Sequence, residues 1–287
     1  MCRPKELGGR RCPQHTDPTK HAAYNARRRE LYAAKKSGSP KTHYIFPEIT
    51  DGTYDLYKGP QAFENFTAEA AALKNKLSAD SASPQEQEEI LDAIDKYTSF
   101  YDAEVRAHLN GAVQKPGTAE RAKKIVEGLE KAFSLAPEIK TPRLLYRGLR
   151  VPESIPSKEA ASWIASNFPV GGVISQKNYM STTTNGHVAA EKFSNYGDQF
   201  DDDYDTYEDR ESVVFEILST KGIALGEGVS AFDNGEEEVL VPREARFKVV
   251  SMHSSKLVSA QVDEIDVKQV FNKTIIRLVD VTDEDES

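Results

Sequence analysis

Apolar residues change their spacing once along this chain, near residue 140, and no other feature limits the fold as much. Upstream, residues 60 to 78, 84 to 110 and 118 to 135 repeat apolar positions at intervals of three and four, the period of an amphipathic helix. Ser83-Pro84 and Gly117-Thr118 supply helix starts. Downstream the pattern becomes short β-rich runs divided by Gly, Asn and Pro. These are Leu144 to Leu149, Val173 to Met180, Val213 to Leu218, Gly222 to Leu225, Glu238 to Val241, Arg246 to Ser254 and Thr274 to Val281. Ser157 to Asn167, with Trp163, and His187 to Phe193 read as short helices between strands. The sequence therefore predicts an α+β domain over 46–287, helical over 46–140 and β-rich over 141–287. Seven short strands predict two small packed sheets.

Charge sets the first 45 residues apart. They hold eleven Lys and Arg against Glu6, Asp17 and Glu30, a net of +8, so the remaining chain carries −17 within an overall −9. Residues 1–45 thus read as a basic arm, either a solvated tail or a dock for a polyanion such as nucleic acid. Ser37-Gly38-Ser39-Pro40 reads as the hinge that follows. Cys2 and Cys12, the chain's two cysteines, lie in this arm with His15 and His21 nearby. They fit a zinc site, or equally free thiols beside surface histidines, since the gap between the cysteines is long for a knuckle. The 38% hydrophobic content is low but sufficient for a core. No apolar run reaches the roughly 20 residues that cross a bilayer, and no export signal is visible. The expectation is a soluble monomer, with no membrane partner, acting in a cytoplasm: the producer's own, or that of a host or target cell after phage expression or injection.

Two acidic stretches stand out in the body. Residues 196 to 211 form an acidic, tyrosine-bearing insertion that reads as a solvated loop. Glu236-Glu237-Glu238, by contrast, runs straight into the apolar Val239-Leu240-Val241. A strand alternates its side chains, so Glu236 and Glu238 are expected on one face, about 6 to 7 Å apart at about 3.3 Å per residue. Two carboxylates so placed suit acid, base or cation-stabilising chemistry. In this strand reading Glu237 is a bystander that points to the other face; the plain alternative is that Glu236 and Glu237 form a solvated turn.

Three segments now occur in order: Leu145-Tyr146-Arg147-Gly148, Met180-Ser181-Thr182-Thr183 and Glu236-Glu237-Glu238. Tyr97-Thr98-Ser99-Phe100-Tyr101, followed by Leu109-Asn110-Gly111, lies on a helix upstream of the first. Each is weak alone. In this order and spacing, over about residues 50 to 255, they resemble the mono-ADP-ribosyltransferases of the Arg, Ser-Thr-Ser, Glu-x-Glu class, which includes binary-toxin enzymes, exoenzymes and bacteriophage transferases. Thr183 stands where that pattern has Ser, and the hydroxyl is kept.

The resemblance implies NAD, as substrate, in a cleft between two sheets, and no required metal. It implies that Glu238 accepts a bond from the nicotinamide-ribose 2′-hydroxyl and stabilises the cation that develops as nicotinamide leaves. Arg147 then faces the phosphates, where a guanidinium fork matches two oxygens. Ser181 aims Glu238, while the Gly148 backbone approaches the nicotinamide amide. Tyr97, Tyr101 and Asn110 cover NAD, or else the two tyrosines are core. Phe193 packs on nicotinamide or anchors its own helix. Glu236 goes with arginine as acceptor, since a carboxylate pairs with a guanidinium and removes its proton. Residues 226 to 235 become a target-recognition loop with Phe232 at its tip, or Phe232 packs beneath it. The expected function is transfer of ADP-ribose to an accessible arginine of a target protein. NAD glycohydrolysis is the enzymatic alternative, and a non-catalytic nucleic-acid-binding or virion-associated protein the alternative of another class.

Overall fold

The computed structural model describes residues 46, 60–78, 83–194, 211–227, 229–230, 236–258 and 270–282. The basic arm with Cys2, Cys12, His15 and His21, the hinge, the bulk of the acidic insertion and Phe232 lie outside the described residues. Apart from residue 46, those described all fall in the second of two units into which the chain divides, which runs from Glu48 to Ser287.

Four helices open this unit: α1 (Pro60–Ser78), α2 (Pro84–Lys96), α3 (Asp102–Leu109) and α4 (Pro116–Leu135). Proline begins α2 and α4, where its missing N–H costs nothing. Ser83 and Glu86 close a reciprocal capping box at the start of α2. The single helix expected over 84–110 is broken by a π-helical turn, Tyr97–Tyr101. The cause is local: the Thr98 hydroxyl donates to the Ile94 carbonyl at 3.0 Å and Ser99 to that of Asp95 at 2.6 Å, drawing acceptors away from the regular ladder. Where α2 crosses α4, a β-carbon added to Gly128 would stand 2.3 Å from that of Ala93, so only glycine permits this approach.

The β-rich part runs β1 (Arg143–Arg150), a 3₁₀ turn (Ser157–Glu159), α5 (Ala160–Asn167), β2 (Val173–Gln176) and β3 (Met180–Thr183). A short helix, Gly186–Val188, then enters a second π-helical turn, Ala189–Phe193. The chain continues through β4 (Ser212–Ser219), β5 (Ile223–Ala224), β6 (Glu238–Val241), β7 (Ala245–Val258) and β8 (Val270–Asp280).

Two expectations need correction here. The run Val173 to Met180 is two strands: β2 pairs with β7, while β3 lies across the sheet between β1 and β6. The break falls where Tyr179 leaves the ladder to bury its ring. The strands also form one mixed eight-stranded sheet, ordered β2-β7-β8-β4-β1-β3-β6-β5, rather than two. β1 is in register with β4 along its whole length but with β3 only at Tyr146↔Thr183. That one pair makes the ladder continuous, a tertiary detail that hydropathy does not encode.

Alternate strand residues divide the core. Leu145, Phe215, Ile217, Val239, Val241, Phe247 and Leu278 pack with α5 and with Phe66 and Ala70 of α1. Leu240, Ile223 and Leu225 turn instead to α1, α2, α3 and α4. A third, smaller cluster joins Tyr146, Val214 and Ile275 to Ala189 and Ala190. β6 is thus clamped on both faces, and its first residue, Glu238, stands at the end of a buried strand.

Candidate active site

The site lies around the point where β1 and β3 part. Arg147, one residue past the Tyr146↔Thr183 pair, reaches across and donates from Nη1 to the Ser181 carbonyl at 2.6 Å. Its side chain is crowded by protein, and the residue is only partly exposed. Burial lowers its pKa; the charges of Glu238 and Asp102 oppose this, and that of Arg106 adds to it. An arginine stays cationic regardless, so the consequence is a poorly solvated cation that favours an anionic partner.

β3 and β6 pair so that Thr183 faces Glu238 and Ser181 faces Leu240. These four therefore share one face, and the Ser181 hydroxyl bonds the Glu238 carboxylate diagonally. Burial raises the Glu238 pKa most; the Ser181 bond lowers it, the Glu236 charge raises it and Arg147 lowers it. Of the four residues expected to act together at the centre, Arg147, Ser181 and Glu236 are thus each brought within interaction range of Glu238.

The acidic run is built differently from a simple strand. β6 begins at Glu238, and Glu237 has φ of 50°, in the left-handed region. Glu237 is neither solvated nor a bystander: it is 7% exposed, and its Oε2 accepts from the Thr184 hydroxyl at 2.6 Å. Three consecutive threonines tie down the run. Thr182 donates to the Val239 carbonyl at 2.7 Å, Thr183 to that of Glu236 at 2.5 Å, and Thr184 to the Glu237 side chain. Sequence reading missed Glu237 because alternation assumes extended backbone at every residue. The signal available was the third threonine, Thr184, placed opposite a third acid.

Gly148 is a glycine for a reason other than the one expected. A β-carbon there would lie 2.2 Å from the Ala189 carbonyl oxygen, 2.6 Å from the Ser194 nitrogen and 2.7 Å from the Phe193 carbonyl carbon. The space a side chain would fill is taken by the chain's own π-helical turn, which sets Phe193, 45% exposed, beside β1.

The upstream aromatics separate. Tyr97 is 4% exposed, donates to the Tyr179 carbonyl at 3.2 Å and meets the Tyr179 ring edge-on. It belongs to the helical core and still lies within electrostatic range of Arg147. Burial pushes its hydroxyl well above the usual phenol range. Tyr101 is half-buried beneath the Arg121 guanidinium, 4.7 Å from its ring centre, and Arg121 is fixed by two bonds to Glu104. The intervening π-helical turn, by changing the helical period, separates two side chains that a regular helix would stack. Asn110 ends α3, exposed, its backbone N–H bonded to the Arg106 carbonyl; no bond joins it to Arg147, Ser181 or Glu238 among the described residues. No group of three or more His, Cys, Asp or Glu suited to a metal ion occurs among the described residues. Nor, among them, is any helix long and apolar enough to cross a membrane.

The site brings together an arginine, a serine-bound glutamate and a second glutamate. Residues 64–277 match the family described as ADP-ribosyltransferase exoenzyme, and the chain belongs to that family. No curated protein matches it. Among solved structures it is similar to BECa, an ADP-ribosylating toxin of a C. perfringens binary enterotoxin, at 16% identity and a TM-score of 0.52, covering 77% of this chain and 48% of that one. It is also similar to Plx2a, an ADP-ribosyltransferase toxin from Paenibacillus larvae, at 15% identity and a TM-score of 0.49 over 76% of this chain and 94% of that one. Vis toxin, an ADP-ribosyltransferase from Vibrio splendidus, gives 16% and 0.44 over 79% and 89%. At such identities the likeness is one of fold.

Proposed function

We propose that this protein transfers the ADP-ribose of NAD to an arginine of a target protein, releasing nicotinamide. Family membership supports NAD as donor, and BECa was solved with NADH. The observation that carries the reading is the Glu238 carboxylate, desolvated, aimed by Ser181, and flanked by Arg147 and Glu236.

In this reading Arg147 takes the diphosphate, its poorly hydrated guanidinium gaining most from a fully charged anion. Phe193 and the Gly148 backbone hold the nicotinamide end, with Tyr97, Tyr101 and Asn110 on the helical side. The bond between ribose C1′ and nicotinamide breaks with its electron pair leaving on nicotinamide. Positive charge grows on the ribose, and the ionised Glu238 beside it stabilises that charge where little water competes. A guanidine nitrogen of the target then attacks C1′. Glu236 pairs with that guanidinium and accepts the proton it sheds.

The test is to follow nicotinamide release and label transfer from NAD to an arginine homopolymer. Glu238→Gln is expected to lower both by on the order of 100- to 1000-fold. Glu236→Gln is expected to lose transfer while keeping NAD cleavage, because water needs no guanidinium partner. A wild-type protein that releases no nicotinamide refutes the whole reading. Glu236→Gln that transfers as well as wild type refutes arginine selection by Glu236, and cleavage without transfer by the wild type favours the glycohydrolase.

A further inference from the structure

One carboxylate remote from the chemistry holds both strands that carry it. Glu130, on α4, accepts through Oε1 from the Tyr179 hydroxyl at 2.6 Å and from Arg243 Nε at 2.7 Å. Tyr179 immediately precedes β3, and Arg243 follows β6 by two residues. Met180 and Val241 pair at that end of the ribbon, and Thr183 and Glu238 at the other. Glu130 therefore ties together the residues that flank one end of the β3–β6 ribbon, with Ser181 one residue in from that end and Glu238 at the other.

The attachment is reinforced by rings. Tyr179 stacks on Phe133 of α4, their planes 2° apart and centres 5.8 Å apart, and meets Tyr97 edge-on at 5.7 Å. The Tyr97 hydroxyl donates to the Tyr179 carbonyl, and the charges of Arg147 and Glu238 bear on it. From Glu130 through Tyr179 to Tyr97 runs an unbroken chain of bonds and ring contacts, and Tyr97 lies within electrostatic range of Arg147 and Glu238.

We propose that Glu130 is a positioning residue: by bridging Tyr179 and Arg243 it fixes the β3–β6 ribbon on α4 and so sets where Glu238 stands relative to Arg147. This rests on Glu238 as the group that meets NAD. Ribbon and arginine belong to strands in register at only one pair, so the sheet alone constrains their separation weakly. The helical region, reached through Glu130, supplies a further constraint beside the Arg147–Ser181 bond and the packing of Leu240. Misplacement of such groups by about 1 Å costs up to roughly 100-fold in rate.

The experiment measures nicotinamide release from NAD across pH for wild type, Glu130→Ala, Glu130→Gln, Tyr179→Phe and Glu238→Gln, with thermal unfolding of each. Glu130→Ala is expected to lower kcat about 10- to 100-fold with KM for NAD within about threefold, and to move the acid limb of the pH profile. Glu130→Gln, which keeps an acceptor oxygen for both donors, should recover most of that loss. Tyr179→Phe removes one arm of the bridge, preserves the ring packing and should give a smaller loss that does not add to that of Glu130→Ala. A purely structural Glu130 would lower Tm and leave kcat and the acid limb of the folded protein unchanged, and that result overturns the proposal. Should Glu130→Ala not fold, a Tyr179→Phe protein with wild-type kcat and acid limb overturns it equally. Glu238→Gln at the wild-type rate would instead overturn the reading of the site itself.

Discussion

Replacing Gly148 by alanine separates two accounts of that glycine. If it leaves room for NAD, the added methyl costs binding and nothing else. If it leaves room for the turn Ala189–Phe193, folding is affected first. Ordinary contact begins at about 3.4 Å, and the methyl would start 2.2 Å from the Ala189 oxygen, so something must yield by about 1.2 Å. The three atoms it meets are all backbone, which cannot rotate aside as a side-chain tip can. Overpacking of this kind costs about 3 kcal/mol, the upper part of its usual range. Lost freedom of the unfolded chain returns about 0.4 to 1 kcal/mol, leaving a net destabilisation of about 2 kcal/mol. For a unit of this size each kcal/mol lowers Tm by about 2 to 4 °C, so a fall of about 4 to 8 °C is expected by differential scanning calorimetry. The displaced turn carries Phe193, and kcat/KM for nicotinamide release should fall as well, by up to roughly 100-fold. A variant with Tm within about 1 °C of wild type and only a raised KM would show that the space belongs to the ligand and refute the packing argument.

Two further outcomes follow from the carboxylates. In the proposed mechanism ionised Glu238 is the active form, and burial raises its pKa above the ordinary 4.5, so the acid limb of kcat/KM should lie above that value. Glu236→Gln removes a repelling charge and should shift the limb down, while Ser181→Ala removes a stabilising bond and should shift it up; shifts of the same sign in a nicotinamide-release profile would contradict the assigned arrangement. Glu237→Ala deprives the buried Thr184 hydroxyl of its carboxylate acceptor and should destabilise the fold by about 1 to 3 kcal/mol in urea unfolding, whereas a solvated glutamate would change it by less than about 0.5 kcal/mol.

The order Arg147, Ser181, Glu236, Glu238 was legible because each sits in a short run whose neighbours declare its local structure. Val239-Leu240-Val241 announces a buried strand, so an acid at its start is conspicuous. Helix α1 was legible end to end, Pro60 to Ser78, because its apolar stripe is continuous. The helix over 84–110 was misread at Tyr97–Tyr101, where two hydroxyls disturb the backbone without disturbing hydropathy. Gly148 was noticed for its smallness, but what presses against it lies more than forty residues away.

Local patterning by itself determined the division into helices and strands, because it follows from the spacing of residues along one chain, and the order of the short motifs carried the resemblance to the family that the chain matches. The tertiary structure alone decided that the strands form one sheet rather than two, through the single pair Tyr146↔Thr183. It also decided that Glu237 is an anchor and that Glu130 ties together the residues flanking one end of the β3–β6 ribbon. Those outcomes depend on which distant backbone atoms meet. Pairings between residues 37 to 113 positions apart leave no periodic trace in either segment.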